Sequence, residues 1–196
     1  MKGKIQKLYE KAETVADLKV IGQMIINSGL APEEHRNNPE AIVMIIEHGL
    51  ILGLSWSVAL TNIYTIDGNF IMRGDALLGL VRKSGELEEF HSETKGNDDT
   101  LCTYITLKRK GEKAQEFKYS VQMAIEAGII DNWWKRTPER KTYYKALGYG
   151  LRTVFSDITQ GMYLKEELDF ENEDKSNSDM DIKIAAETLK MIDRNS

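Results

Sequence analysis

The sequence predicts an α+β fold: a small antiparallel sheet, made of a hairpin plus a three-stranded meander, packed with helices and followed by one long basic helix toward the C-terminus. Three observations predict it. Residues 63–72, IYTIDGNFIM, set Asp67-Gly68 between two β-rich runs, and that dipeptide suits the left-handed positions of a type I′ turn. Three alternating runs then follow, LEEFHSET, LCTYITLKRK and AQEFKYSV, punctuated by Asn97-Asp98-Asp99 and Gly111-Glu112-Lys113, as a meander requires. Downstream of Pro138, residues Tyr144, Leu147, Leu151, Val154, Phe155 and Ile158 recur every three or four positions, which marks one face of an amphipathic helix.

The remaining elements follow in chain order. Residues 3–12 read as a short helix. A second spans 14–28, with Thr14 and Asp17 as its N-cap signal, Gly29 as its stop, and Val15, Leu18, Ile21, Ile25 and Ile26 as its buried stripe. Residues 31–38 form a polar loop. Asn38 caps a helix opened by Pro39, whose core positions are Ile42, Ile45, Ile46, Leu50 and Leu52. Ser55 caps a short helix through Leu60. Asp75 begins another helix that ends at Gly85, and one near 120–127 ends at Gly128. His48, within an apolar helical run, reads as a half-buried side chain, and Cys102 as a small core residue.

At 196 residues the chain is long enough for one well-buried domain. Residues 1–168 form that domain, and 169–196 an acidic, flexible tail in which 180–192 regain helical spacing. The formal charge is −5, yet 166–196 alone carry ten acids against four bases. The body is therefore near neutral, with its cations gathered in 132–165. A lone cysteine excludes an intramolecular disulfide and fits a reducing cytoplasm. The N-terminus resembles no signal peptide, and the apolar stretch around 41–54 is interrupted by Glu47 and His48, too early to span a bilayer.

The segment 132–165 combines Trp133 and Trp134 with Lys135, Arg136, Arg140, Lys141, Tyr143, Lys145 and Arg152. Cations pair with phosphates, and flat rings stack on bases of any identity, so this composition suits single-stranded nucleic acid. Arg140, Lys141, Lys145 and Arg152 are expected on one polar helix face, with Tyr143 beside them. Arg73, Arg82 and Lys83 near the hairpin, and Lys108 and Arg109 at a strand end, complete the expected phosphate contacts. A buried stripe backed by an ordinary solvated basic face is the simpler reading of the same helix.

Other chemistry is sparsely signalled. His35, His48 and His91 lack ligand spacing, so no metal site is expected. Asp98 or Asp99 with Glu116 and Lys118 echoes the carboxylate–carboxylate–lysine set of a Mg²⁺-dependent nuclease, although any exposed strand face yields Glu-x-Lys. Apart from Mg²⁺ in that alternative, no cofactor is expected.

Two blocks resemble a known family. GLSWSVALTNIYTIDGNFIMRGDALLGLVRKSG is similar to the G-L-S/D-P-x-x-A-L-x-x-I-Y-x-I-x-G-K-P block and A-L-V-x-R-S-G helix of the phage RecT-type single-strand annealing proteins (the RecT/Red beta superfamily). WWKRTPERKTYYKALGYGLRTVFSDITQGMYLKEEL resembles the family's W-x-x-x-P-x-x-M-x-x-x-R-A-x-x-x-x-x-R-x-x-F-P-D-V-L-x-G-x-Y-x-x-E-E ending. Trp56, Asn69-Phe70, Lys141, Lys145 and Ser156 depart from the pattern. The resemblance implies a non-catalytic, ATP-independent protein of phage homologous recombination, acting in the bacterial cytoplasm. Such a protein binds single-stranded DNA, anneals complementary strands and assembles into rings or filaments. An exonuclease or a host single-strand-binding protein is the implied partner. A protein-binding adaptor that touches no DNA is the alternative from another class.

A tethered polyanion competes with DNA for a basic surface at high effective concentration. Truncation after Leu168 is therefore expected to tighten oligonucleotide binding, most at low salt. Titration at two salt concentrations checks this, and unchanged affinity at low salt rejects it.

Overall fold

A computed structural model describes residues 7–8, 11–12, 14–66 and 68–168. Most of the helix expected over 3–12, Asp67 of the turn, and the tail 169–196 with its expected helix lie outside these residues. The α+β class holds. Helix α1 (Val15–Asn27) begins at a complete capping box in which Thr14 and Asp17 satisfy each other's backbone. Asn38 accepts from Ala41 N–H to start α2 (Pro39–Ile51), and Ser55 accepts from Val58 N–H to start α3 (Trp56–Asn62).

Strands β1 (Ile63–Ile66) and β2 (Asn69–Met72) pair antiparallel as the sequence predicts, and Gly68 adopts φ 78° in their turn. Helix α4 (Gly74–Ser84) follows and ends at the left-handed Gly85. The meander is β3 (Leu87–Lys95), β4 (Cys102–Arg109) and β5 (Gln115–Ser120). Its alternation is clearest on β4, where Thr103, Ile105 and Leu107 are buried. Cys102 has the opposite parity and is only half-buried, so it borders the solvent face and is not the core residue its neighbours suggest.

Two short helices, α5 (Val121–Glu126) and α6 (Asn132–Arg136), lead to the long helix α7 (Pro138–Val154). Its stripe of Tyr144, Leu147, Leu151 and Val154 is buried as expected. Gly150 lets the meander approach, because a Cβ there would come within 2.9 Å of both Leu107 and Phe117. Buried Thr142 and Thr103 hydroxyls meet at 2.8 Å across the same contact.

The long helix stops four residues earlier than the stripe implies. Phe155 leaves helical geometry (φ −127°, ψ 36°) and a separate turn, α8 (Ser156–Thr159), follows. Arg109 sits at this break: it donates to the Val154 carbonyl at 3.4 Å and to both oxygens of Asp157 at 2.6 and 2.8 Å. The cation thus caps the Val154 carbonyl at the end of the helix.

One strand is not foreseen. Residues Tyr163–Leu164 form β6, parallel to β2 with Ile71 opposite Tyr163 and Met72 opposite Leu164. The hairpin is therefore the larger part of a second three-stranded sheet, ordered β1-β2-β6, and α9 (Lys165–Leu168) closes the described fold. One apolar core joins α1, α2, α4, α7 and both sheets, while Leu101, Val121, Ala124 and Trp134 form a satellite beneath α5 and α6. In α1, Val15 stays 71% exposed, since the helix packs mainly on α2 and only Ile21 and Ile25 of its stripe are buried. Among the described residues, no single helix is long and apolar enough to cross a membrane.

Two glycines give opposite expectations. A Cβ at Gly49 would collide with Ala59 of α3, whereas one at Gly79 in α4 meets open space. Urea unfolding should find Gly49→Ala destabilised by about 1–3 kcal/mol. Gly79→Ala should gain about 0.5–1 kcal/mol from lost unfolded-chain freedom.

Candidate nucleic-acid interface

The expected basic face of α7 is largely covered. Lys141 is only 3% exposed. Lys145 is half-buried, and burial pushes its ammonium pKa down against the opposing pull of Glu167. Arg152 gives both terminal nitrogens to Glu167, one of them at 2.9 Å. Of the four cations, only Arg140 is exposed, with its guanidinium carbon 5.7 Å from the Tyr144 ring centroid. The four do not share a solvated face. The segment that follows α8 in the chain, β6–α9, folds back along α7, and buried charges there must be paired.

That segment carries two consecutive buried carboxylates. Glu166 accepts from Gly74 N–H at 2.8 Å, at the start of α4, where unpaired N–H groups and the helix dipole favour an anion. Glu167 accepts from Leu164 N–H at 3.0 Å as well as from Arg152. It lies so close to α7 that a Cβ on Gly148 would collide with its carboxylate. Near Glu166, Tyr144 donates to Asp75 at 3.1 Å. Burial first, then Glu166 and Asp75, push the Tyr144 phenol pKa well above its usual value, so it remains a neutral donor.

An aromatic row flanks this charge cluster. Successive strand residues face opposite sides of a sheet. Ile63, Met72 and Leu164 stand in register and are fully buried. On that side Phe70 stacks on His48 of α2, ring centroids 4.3 Å apart, and the half-buried His48 expected from the sequence is confirmed. Tyr64, Ile71 and Tyr163 form the row on the other side, with Ile71 buried between two tyrosines. Lys165 Nζ lies 4.1 Å from the Tyr64 ring centroid and Arg152 Cζ 4.2 Å from that of Tyr163. Both are cation–π distances. Tyr163 is 50% exposed, and Tyr149 on α7 is 61% exposed. Arg73 follows Met72 on β2 as Lys165 follows Leu164 on β6, which sets the exposed Arg73 at the same end of the sheet.

Sequence reasoning selected Arg73, Lys145 and Arg152 of this group and missed Tyr64, Tyr149, Tyr163 and Lys165. A period-2 reading of residues 62–72 could have put Tyr64 on the side of the sheet opposite Ile63. No local signal identifies Tyr163, because its strand is two residues long and pairs with a distant partner. Tyr143, chosen instead, is half-buried against the core; burial raises its phenol pKa.

The other expected contacts disperse. Arg82 and Lys83 lie at the far end of α4 from Arg73, about 13 Å along its axis. Arg82 stacks over Phe90 at 5.1 Å, and Lys83 donates to the Gly53 carbonyl at 3.0 Å. Lys108 pairs with Glu88 at 2.6 Å. Arg109 is engaged at the α7 break, its hydrogen bond to Asp157 raising its own pKa and lowering that of Asp157. These two do not stand as open phosphate contacts. Lys135 and Arg136 are exposed on α6, and Arg136 lines a cleft of about 550 Å³ with Arg140, Gly96, Asn97 and Asp98.

The nuclease set is not assembled. Glu116 pairs across from Thr106 on β4, whereas Asp98 and Asp99 precede Cys102, about 13 Å away along the strand at 3.3 Å per residue. Among the described residues no three His, Cys, Asp or Glu side chains group as metal ligands. The chain matches no family model, no curated protein and no solved structure at a significant level.

If the tyrosine row seats bases, Tyr64→Ala and Tyr163→Ala should each weaken single-stranded oligonucleotide binding by about 1–3 kcal/mol. Lys108→Ala should leave it unchanged, because Glu88 already neutralises that cation. Fluorescence anisotropy checks both, and equal losses in all three variants would reject the row.

Proposed function

We propose that this chain is an ATP-independent protein that binds single-stranded DNA and anneals complementary strands. The observation that carries the reading is the pair of tyrosines flanking Ile71, half-buried Tyr64 and exposed Tyr163, each backed by a cation, at the end of the β1-β2-β6 sheet where Arg73 and Lys165 also lie. The two sequence blocks similar to RecT-type proteins support the same reading, and this site draws on both of them. Tyr64 and Arg73 come from the first block, and Tyr163 and Lys165 from the second.

Charge and stacking account for such an activity without bond-making. Cations hold the phosphates, and rings engage the face of a base. A stacked base keeps its pairing edge outward, free to test a second strand. Annealing along a strand also needs the site repeated, so head-to-tail self-association forms part of the proposal. Exposed Val15, Val20 and Met24 on α1 with Met44 and Ile51 on α2 offer apolar surface for it.

The test mixes fluorescently labelled complementary oligonucleotides with the full chain, without nucleotide or metal. Accelerated annealing over the protein-free rate is expected. Each phosphate neutralised should steepen the log–log salt dependence of binding by roughly 0.7. Binding without acceleration would reduce the function to strand binding, and no binding at low salt would favour the adaptor.

A further inference from the structure

We propose that Glu167 is a positioning residue of this interface: through Arg152 it fixes the ring of Tyr163 as a seat for a nucleobase. The inference rests on the single-strand-binding reading above and deepens it. Glu167 is 4% exposed and touches no surface that a nucleic acid could reach. Its carboxylate nevertheless holds both parts of the seat. It takes two parallel N–H donors from Arg152, and it accepts from Leu164 N–H, the backbone group next to Tyr163.

A bidentate pair fixes the plane of a guanidinium, not merely its location. Its Cζ lies over the Tyr163 ring, 4.2 Å from the centroid. One face of the ring is thereby covered, and its 50% exposure is left to the opposite face and edge. Carboxylate, guanidinium and ring form a chain of contacts in which only the last member faces outward.

Stability alone does not explain the pair. A buried ion pair contributes little net stability over apolar residues of similar volume, because both ions lose their hydration. Here the geometry is also reserved in the backbone, since Gly148 leaves room for the carboxylate that any side chain would displace. The pair is arranged where an oriented cation is needed beneath an aromatic ring.

The experiment compares a thymidine oligonucleotide with an abasic phosphodiester chain of equal length and charge, using full-length protein. Glu167→Gln should bind the thymidine strand about five- to tenfold more weakly, within the range of one lost base stack. Its affinity for the abasic chain and its salt slope should match the unsubstituted protein. Tyr163→Ala should show the same selective loss, and the double variant should be no weaker than Tyr163→Ala alone, since both act on one seat. Should Glu167→Gln fold poorly in a thermal melt, Arg152→Lys serves instead: it keeps the charge, loses the flat bidentate group, and is expected to reproduce the selective loss. Equal losses on both strands, or additive losses in the double variant, would overturn the positioning role. If Tyr163→Ala is itself neutral, the stacking seat fails, whereas a selective Tyr163 loss with a neutral Glu167→Gln defeats only the positioning role.

Discussion

Two adjacent buried carboxylates hold the described fold together at its end. Glu166 and Glu167 leave water, so each must find a cationic or N–H partner. Glu166 finds the first N–H of α4, and Glu167 finds the guanidinium on α7. Being consecutive, they tie the last segment to two helices at once. The segment can then lie only between them, which sets β6 against β2 and aligns Tyr163 with Ile71. Gly74 and Glu166 are 92 residues apart in sequence, and Arg152 and Glu167 only 15. A short polar stretch thus does the work that a long apolar helix usually does in closing a domain.

Local signals carried much of the architecture. The hairpin and the meander were legible because strand side chains alternate with a period of two. Helix starts were legible because Thr14, Asn38 and Ser55 satisfy orphan N–H groups from their own neighbourhood. What escaped was set by distant partners. The stripe through Ile158 was real, but Arg109, arriving from β4, engages the Val154 carbonyl and Asp157 where the helix breaks. Strand β6 has too few residues to display any period. Cys102 stands one position out of phase with Ile105 and Leu107 of β4, a parity the alternation of the strand itself carries.

The candidate interface was half legible for the same reason. A lysine or arginine on the polar side of an amphipathic helix reads as solvated, since nothing local pairs it. Lys141, Lys145 and Arg152 follow that pattern in sequence, yet the structure covers them. Exposed aromatics pose the inverse difficulty. Tyr143 and Tyr149 are equally tyrosine in the sequence, and only the packing of α7 decides that the first lies against the core and the second stands in solvent.

This redistribution changes what the proposed activity must depend on. Arg109, Arg152 and Lys108 already have carboxylate partners, and a phosphate could recruit them only by displacing an existing ion pair. Among the expected phosphate contacts, the exposed cations are Arg73, Arg82, Lys83, Lys135, Arg136 and Arg140, dispersed over the hairpin end, the far end of α4 and the α6–α7 junction. A surface of that kind supplies modest, diffuse attraction, screened at physiological salt. Stacking is short-ranged and insensitive to salt, so it becomes the term able to hold a strand in register. That places the energetic weight on ring orientation. Two of the buried charges are then not lost to the interface: Arg152, held by Glu167, acts on it through the ring it supports.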